Sequence, residues 1–345
     1  MEGIDEGPTT AWLAEHVGLE PPLLFELIAG GRSNLTYRVE DKAGHRVVLR
    51  RPPVSHVLPT AHDMRREHRI VSALGPTAVP VAQTLGLCDD EAVNGAPFYV
   101  MEYVEGHILR DRAIAERVLD AAGRRRASES LIAVLAALHG LDVDAVGLGD
   151  LGRREGYLSR QLQRWHGQFD KSQVDGMERP TTVDDIYERL AASVPEQQGA
   201  TIVHGDYRLD NTMLGDDGTL RAVLDWELCT LGDPLADVGL LMVYWSEPDG
   251  GTQALGVASP TLAEGFLRRS DLRQLYAGAT GRDLSGLDYY VAFGYWKLAC
   301  ILQGVFARYI GGAAGGDRSG IDFMADNVRM LAEASQQALA TSGIA

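Results

Sequence analysis

The sequence contains three oxygen-bearing side chains at a spacing that suits chemistry on phosphate groups. An apolar run at 201–203 is followed by Asp206, and Asn211 lies five positions further on. A second apolar run at 220–224 ends in Asp225. Phosphoryl transfer from ATP requires a carboxylate that orients and deprotonates the attacking hydroxyl, and oxygen ligands that hold magnesium on the phosphates. The spacing therefore predicts a catalytic site for phosphoryl transfer.

The first of these segments resembles the catalytic loop of the kinase-like superfamily. Residues 204–211 match the pattern H-G-D-x-x-x-x-N of the aminoglycoside phosphotransferase family, whereas protein kinases have H-R-D-x-x-x-x-N. Other motifs resemble, in the family's order, its nucleotide loop, its third strand, the following helix and the segment after the metal-binding aspartate, at 30–37, 47–50, Glu67 and 232–237. On these motifs the chain is identified as a member of this family.

Two stretches are similar to one branch of that family. Residues 205–211 and 224–234 have the sequence typical of the branch that occurs beside or fused to acyl-CoA dehydrogenases. The resemblance implies ATP and Mg²⁺ as cofactors and a small-molecule hydroxyl as the phosphate acceptor, on a hydroxyacyl-CoA or a hydroxy acid. It also implies a functional link to an acyl-CoA dehydrogenase.

The resemblance assigns a role to each matching residue. Asp206 is expected to be the catalytic base or to orient the acceptor hydroxyl, and Asn211 and Asp225 are expected to be the magnesium ligands. The family's glycine loop covers the β-phosphate, and its hinge holds adenine by main-chain hydrogen bonds. These nucleotide contacts fall on Gly31, Arg32, Ser33, Glu102 and Val104.

The position of the phosphate anchor departs from the kinase pattern. Arg50 stands where kinases place lysine, and the resemblance implies that it contacts the α/β-phosphates and pairs with Glu67. Guanidinium keeps the positive charge of lysine and adds bidentate geometry, but it is longer and planar. Arg51 is a rival for the same role because neighbouring residues of a strand face opposite ways.

The sequence pattern predicts that a sheet followed by helices positions these residues. Short apolar runs, turn residues and one helical pattern predict five antiparallel strands and a main helix, with strands at 23–28, 35–40, 46–50, 81–88 and 97–104 and the helix at 59–74. After about residue 104 the pattern becomes helical. We therefore expect an α+β, bilobal protein-kinase-like fold, with an N-terminal lobe at 1–104 and a mostly helical C-terminal lobe at 105–345 that contains the catalytic loop at 201–213.

An insert at about 150–200 is the expected acceptor side of the site. Arg160 and Arg164 lie one turn apart on a predicted helix, so both could reach one anion of a phosphate-bearing carrier such as coenzyme A. Tyr157 lies on the same helix, and Glu227 follows the metal-binding aspartate. The acidic composition instead favours a cationic amino-alcohol such as choline or an aminoglycoside, and this alternative stays open.

Charge and spacing exclude several other classes. The formal net charge of −16 argues against a nucleic-acid partner. Only twelve positions separate Asp225 from Asp237 and no Ala-Pro-Glu follows, which leaves little room for the activation segment of a protein kinase. A catalytically idle nucleotide-binding regulator is expected to have lost one of the three key residues, and all three are present; this reading stays a second alternative. The oligomeric state is not predicted.

The sequence also suggests a compartment. The three cysteines are far apart and form no C-x-x-C pair, which fits a reducing environment. The first residues do not resemble a signal peptide, and the apolar stretch at 289–310 is interrupted by Lys297, Gln303 and Arg308. We therefore expect a buried helix at 289–310, no membrane partner and a cytoplasmic protein.

Overall fold

The N-terminal part of the chain forms an antiparallel sheet. The computed structural model describes residues 1–29, 34–54, 63–174, 179–248, 259–308, 310 and 321–342. The five strands are β1 (Leu24–Ala29), β2 (Leu35–Glu40), β3 (Arg46–Arg51), β4 (Thr84–Cys88) and β5 (Phe98–Glu102). Their order is β1-β2-β3-β5-β4, and every neighbouring pair is antiparallel. The predicted five-stranded antiparallel sheet is confirmed.

Three helices accompany this sheet, namely α1 (Glu6–His16), α2 (Met64–Leu74) and α3 (Glu91–Asn94). Strand β3 shows how the two faces of the sheet differ. Val47 and Leu49 are buried in a core that also contains Phe98 and Leu13 of α1. Because successive side chains of a strand point to opposite faces, Arg50 lies on the other face, toward α2. The sheet thus has one sealed apolar face and one face that carries charged groups.

Helix α2 begins later than the pattern at 59–74 predicted. The carboxylate of Asp63 accepts hydrogen bonds from the backbone N–H groups of Arg65 at 3.0 Å and Arg66 at 3.1 Å, so it caps the first turn. The helix therefore begins at Met64, and the predicted positions 59–62 lie outside the described residues. Glu67 is on the buried face of this helix and is 3% exposed.

The remainder of the described chain is mostly helical, as expected. Its helices are α4 (Arg112–Val118), α5 (Ala121–His139), α6 (Tyr157–Lys171), α7 (Thr181–Ala192), α8 (Pro234–Tyr244), α9 (Arg269–Thr280), α10 (Leu287–Arg308) and α11 (Ile321–Thr341). Two small antiparallel pairs carry the catalytic segments: β6 (Thr201–Val203) with β9 (Thr230–Gly232), and β7 (Thr212–Leu214) with β8 (Leu220–Val223). The division into two domains at residue 104 stays a prediction.

Helix α10 is the central helix of the larger core. It is long and apolar enough to cross a membrane, but 78% of its apolar window is buried inside the protein. It packs against α8 and α11, and its residues Lys297 and Gln303 are each only 6% exposed. The predicted buried helix is confirmed, and its bounds within the described residues are Leu287–Arg308.

Candidate active site

The catalytic loop closes on itself through the side chain of Asn211. The Nδ2 group of Asn211 donates to the carboxylate of Asp206 at 2.8 Å and to its backbone carbonyl at 2.9 Å. A short 3₁₀ turn, Leu209–Asn211, brings the two residues together. The five-residue spacing between Asp206 and Asn211 therefore corresponds to a short loop in which Asn211 positions the Asp206 carboxylate.

The second strand end brings Asp225 beside this loop. The N–H of Leu224 donates to the backbone carbonyl of Asn211 at 2.8 Å, which joins the end of β8 to the loop. Asp225 has a φ of 61° and is the one non-glycine residue with a positive φ in the described part of the chain. Such strained positions cluster at functional sites because the surrounding structure must hold them. The structure thus brings together Asp206, Asn211 and Asp225.

Arg50 reaches this group from the sheet. Its Nε lies 2.8 Å from the Glu67 carboxylate, and its Nη2 lies 2.5 Å from the Asp225 carboxylate. Tyr99 donates to Glu67 at 3.1 Å and Asn34 does so at 3.2 Å, so the glutamate is held from several sides. Burial alone would lower the pKa of Arg50, but Glu67 and the other nearby acidic groups raise it, so the guanidinium stays charged.

Arg51 points to the opposite face of the sheet. Its guanidinium donates to the backbone carbonyls of Gly3 and Asn94, the latter at 3.1 Å. The structure therefore places Arg50 in the cleft and gives Arg51 a role in attaching the N-terminal residues to the sheet.

A cavity of about 460 Å³ lies beside this ion-pair network, between the sheet and the helical part. The expected hinge residues Glu102 and Val104 line it, together with Arg50 and Asp225. Apolar groups that include Val48, Ala82, Met101 and Val223 supply much of its wall. The three glycine-loop residues predicted to contact phosphate, Gly31, Arg32 and Ser33, lie outside the described residues.

A buried aspartate braces the backbone of the catalytic loop. Asp237 is 1% exposed, and its carboxylate accepts hydrogen bonds from the N–H groups of His204 at 2.7 Å and Gly205 at 2.8 Å. The His139 ring lies 3.3 Å from the same carboxylate. Burial would raise the pKa of Asp237, but the hydrogen bond and charge of His139, together with the loop contacts, lower it below its usual value. Asp237 thus acts as an ionised brace.

Gly205 is required by the shape of this loop. Its φ is 86°, a conformation that side-chain-bearing residues rarely adopt. A Cβ at this position would lie 3.0 Å from the carbonyl oxygen of Leu228. The loop can therefore approach the segment after Asp225 only because residue 205 lacks a side chain.

A second cavity, of about 380 Å³, lies on the insert side of the catalytic loop. Tyr157, Arg164, Glu227 and Lys297 line it. Burial raises the pKa of Glu227 to about 7, and the nearby Asp225 adds to this shift. Three of the four predicted acceptor-side residues therefore share one cavity.

Arg160 differs from the prediction that it reaches the same anion as Arg164. Its guanidinium donates to the backbone carbonyl of Arg153 at 2.8 Å and to that of Glu155. Among the described lining residues, the cavity includes Arg164 but not Arg160. The helical spacing was right, but the nearby loop carbonyls satisfy the Arg160 guanidinium and turn it away from the cavity.

Lys297 is a site residue that sequence reasoning missed. Its Nζ donates to the Gly205 carbonyl at 2.9 Å and lies 5.6 Å from the centre of the Trp165 ring. The Arg164 guanidinium lies 5.0 Å from the centre of the same ring. Burial lowers the pKa of Lys297. The one available signal was a lysine in a largely apolar helix, and no motif connected it with the catalytic loop.

Comparison with known proteins agrees with this geometry. The family model described as "Phosphotransferase enzyme family" matches residues 25–276. A crystal structure from Ralstonia eutropha, of a protein assigned to the aminoglycoside phosphotransferases, is 33% identical, covers 98% of each chain and has a TM-score of 0.81. Choline kinase from Cryptosporidium parvum, at 11% identity and a TM-score of 0.63, shares the fold.

Curated relatives are longer proteins. Acyl-CoA dehydrogenase family member 10 of Mus musculus is 36% identical over 299 residues, which are 82% of this chain and 26% of the relative. Acyl-CoA dehydrogenase family member 11 of Homo sapiens is 31% identical over 343 residues, which are 96% of this chain and 43% of the relative. The chain thus spans less than half the length of these relatives.

The kinase-like fold and the resemblance to the aminoglycoside phosphotransferases, including the branch associated with acyl-CoA dehydrogenases, are confirmed. The prediction of a phosphotransferase that acts on a hydroxyl group is also confirmed. With a family model that covers most of the chain and a full-length structural match, the chain belongs to the phosphotransferase enzyme family, whose members act on hydroxyl groups.

Proposed function

We propose that this phosphotransferase uses ATP and Mg²⁺ to phosphorylate the hydroxyl group of an anionic hydroxyacyl compound, either a hydroxyacyl-CoA or a hydroxy acid. The observation that carries the proposal is the meeting of Asp206, Asn211 and Asp225 opposite the Arg50–Glu67 ion pair. This arrangement supplies a base, oxygen ligands and a phosphate-binding cation in one cleft.

The nucleotide is proposed to bind in the cavity beside the sheet. Its apolar wall suits a purine ring, and Glu102 and Val104 of the expected hinge are among its lining residues. Arg50 stands at the inner end, where a guanidinium can form two parallel hydrogen bonds with phosphate oxygens. Base and triphosphate would therefore lie along a single cleft that ends at Asp225.

The residues present fit a magnesium ion. Mg²⁺ prefers carboxylate and amide oxygens, and Asn211 and Asp225 offer one of each. The Nδ2 of Asn211 is engaged with Asp206, whereas its side-chain oxygen accepts no hydrogen bond from the described residues. Asp225 and Asn211 would hold the ion, and the ion would neutralise negative charge on the phosphates.

Asp206 is then the group that orients the acceptor hydroxyl and accepts its proton. Its carboxylate is fixed by Asn211, and its loop is fixed by Asp237 through the backbone of residues 204 and 205. We propose that Asp206 accepts the hydroxyl proton as the acceptor oxygen bonds to the γ-phosphorus and the bond to the ADP oxygen breaks. Fixing the carboxylate in advance avoids the cost of orienting it during transfer.

Local charge favours an anionic acceptor over an amino-alcohol. The insert-side cavity is lined by three cations, which are Arg66, Arg164 and Lys297. Two of its carboxylates are already satisfied, since Asp63 caps helix α2 and Glu67 pairs with Arg50. The cavity would therefore attract an anion even though the whole chain is acidic.

The names of the curated relatives support an acyl compound. Two of them are called acyl-CoA dehydrogenase family members 10 and 11, and this chain matches only a part of each. We infer a functional link between this phosphotransferase and acyl-CoA dehydrogenation, in which both activities act on related acyl substrates.

The test is an acceptor screen with matched variants. Purified protein with MgATP is offered hydroxyacyl-CoAs, free hydroxy acids and amino-alcohols, and ADP release is measured. We expect stimulation by the anionic hydroxyacyl compounds. Lys297→Met and Arg164→Met should each raise KM for that acceptor by about tenfold, as expected for loss of a charged hydrogen bond, and should leave nucleotide affinity unchanged.

Arg125→Met is the control, because Arg125 is an exposed residue of α5 that pairs with Glu129 at 2.9 Å. Arg125→Met should change neither the KM for the acceptor nor the affinity for the nucleotide. Stimulation by amino-alcohols alone would contradict the anionic acceptor while keeping the phosphotransferase. Equal loss of acceptor and nucleotide affinity in the cavity variants would contradict the placement of the acceptor.

A further inference from the structure

The first turn of helix α2 lies between the two cavities. Glu67 lines both the cavity beside the sheet, proposed for the nucleotide, and the insert-side cavity. Arg66, the residue before it, lines the insert-side cavity and is not among the described residues that line the nucleotide cavity. Asp63, which caps the helix, also lines the insert-side cavity. This turn therefore forms a wall that the proposed nucleotide site and the proposed acceptor site share.

Arg66 connects this turn to the helical part of the protein. Its Nη2 group donates to the backbone carbonyl of Cys229 at 2.8 Å and to that of Leu151 at 3.1 Å. Cys229 lies four positions after Asp225, and Leu151 belongs to the loop that precedes α6. A guanidinium holds its N–H groups in a rigid plane, so one side chain fixes both carbonyls in a set geometry. The start of α2 is thus attached to the segment that follows an expected metal ligand.

The two carbonyls belong to segments that pack directly against each other. A Cβ at position 152 would lie 2.5 Å from the Oγ1 atom of Thr230 and 3.3 Å from the backbone nitrogen of Leu231. The loop therefore approaches strand β9 this closely only because Gly152 has no side chain. Strand β9 pairs with β6, which leads into the catalytic loop. The Arg66 guanidinium thus binds backbone that the catalytic region itself holds in place.

Two other arginines of α2 differ from Arg66 in their partners. Arg69, one turn further along the helix, pairs with Asp150 of the same loop, but at the exposed surface. Arg65 pairs at 2.8 Å with Asp89, which directly follows strand β4 of the sheet. Arg65 is thus attached to the sheet rather than to the helical part, and its neighbouring position makes it a matched control.

The position of this turn matters for the phosphate anchor because Glu67 is the next residue. Its carboxylate lies 2.8 Å from the Nε of Arg50 and is 3% exposed. A buried ion pair repays the cost of removing its charges from water only when its geometry is good. A displacement of the backbone at Arg66 would carry Glu67 with it, and errors of about 1 Å in the position of a functional group lower activity strongly. A contact that fixes Arg66 therefore also fixes the Arg50 guanidinium.

We propose that Arg66 is a positioning residue that holds Glu67, and through Glu67 the Arg50 guanidinium, in place for the nucleotide phosphates. Arg66 does not itself contact the nucleotide. It acts from the acceptor side of α2, through the carbonyls of residues 151 and 229. This role depends on the proposed function, because it requires that Arg50 binds the phosphates.

A double-variant cycle tests whether Arg66 acts through Glu67. Binding of ADP with Mg²⁺ to the full chain is measured by calorimetry, and urea unfolding of each variant is measured beside it. Arg66→Met should weaken ADP binding by about five- to tenfold, the lower part of the usual range for coupling between sites. Glu67→Gln should weaken it at least as much. In the Glu67→Gln background, Arg66→Met should weaken binding by no more than about twofold further, because the residue through which it acts has already been altered.

The control Arg65→Met should keep ADP affinity within about twofold of the wild type, because exposed ion pairs contribute little. Arg66→Lys keeps the charge and a donor but lacks the rigid fork, so its ADP affinity should lie between those of the wild type and Arg66→Met. Wild-type ADP affinity in a folded Arg66→Met would overturn the proposal. Where Arg66→Met does not fold, Arg66→Lys replaces it, and wild-type affinity in Arg66→Lys then overturns the proposal.

An equal loss from Arg66→Met in the wild-type and Glu67→Gln backgrounds would also overturn it, because Arg66 would then act independently of the carboxylate. Arg50→Met distinguishes failure of this role from failure of the proposed function. Weaker ADP binding in Arg50→Met, with wild-type binding in Arg66→Met, would reject the positioning role alone. Wild-type ADP binding in Arg50→Met would reject the proposed nucleotide site and the positioning role with it.

Discussion

The Nη2 atom of Arg50 lies 2.5 Å from the Oδ1 atom of Asp225, and this contact joins the sheet to the catalytic strand end across the cleft. Arg50 belongs to β3 and Asp225 follows β8, so the contact connects residues 175 positions apart. The expected phosphate anchor and an expected metal ligand are thus each other's partners. Binding of a metal nucleotide would replace this ion pair by contacts of each residue with the ligand.

Replacing the two neighbouring arginines should separate nucleotide binding from stability. Arg50→Met should weaken nucleotide binding by about 10- to 100-fold, because a charged hydrogen bond contributes about 1.5–3 kcal/mol. Arg51→Met should leave nucleotide binding unchanged and lower the free energy of unfolding by about 1–3 kcal/mol, because the buried carbonyl of residue 94 and the half-buried carbonyl of residue 3 lose this donor. Calorimetry measures nucleotide binding, and urea unfolding measures stability. Weaker nucleotide binding in Arg51→Met but not in Arg50→Met would assign the phosphate contact to Arg51.

Removing the charge of Asp225 should affect metal-dependent binding alone. Asparagine tolerates a positive φ, so Asp225→Asn keeps the backbone and loses the carboxylate. We expect Mg²⁺ to enhance nucleotide binding at least tenfold less than in the wild type, while nucleotide binding in EDTA is not weakened, because Arg50 is released. Asp225→Ala should show the same binding defect and lose about 1–2 kcal/mol of stability through the positive φ. Undiminished Mg²⁺ enhancement in either variant would exclude Asp225 as a ligand.

Asp206→Ala should abolish transfer and spare the nucleotide. Loss of a positioned general base typically lowers kcat by about 10²–10⁴-fold. Nucleotide affinity should stay within about twofold of the wild type. The Asp206 carboxylate accepts a hydrogen bond from Asn211 and is not among the residues that line the nucleotide cavity. Steady-state kinetics and calorimetry are the measurements. A variant with the wild-type kcat would show that another group takes the proton.

The buried brace at Asp237 predicts a pH dependence of stability. The folded state lowers the pKa of this carboxyl, so its contribution is present above the unfolded pKa of about 3.9 and is lost as the pH falls through the folded value. Asp237→Asn should lower the free energy of unfolding by about 2–4 kcal/mol at pH 7, because one loop N–H loses its acceptor inside the core. The difference from the wild type should shrink below pH 4.

Urea unfolding at pH 7, 5 and 3.5 checks this expectation. Asp185→Asn is the matched control, since Asp185 is an exposed residue of α7 and should give no pH-dependent difference. A difference between Asp237→Asn and the wild type that is the same at all three pH values would show that the carboxyl charge at 237 does not contribute.

The sequence alone indicated that Asp206, Asn211 and Asp225 lie together, and it predicted the elements that carry them. The spacing of Asp206, Asn211 and Asp225 is set by one short loop and one hairpin, and both are local structures in which the sequence order fixes the neighbours. The short apolar runs and turn residues of the early segment predicted the sheet in the same way, because most of its strands pair with one close in the chain. Local contacts are therefore the part that motifs and periodicity could predict.

The tertiary structure decided which charged groups share the site. Which of Arg50 and Arg51 faces the cleft depended on which side of the sheet packs against α1. Arg160 turned to nearby loop carbonyls while Arg164 reached the cavity. Lys297 donates to the Gly205 carbonyl only because the fold brings α10 beside the catalytic loop, which lies 92 positions earlier in the chain. Such contacts depend on the packing of distant elements, and neither composition nor spacing records that packing.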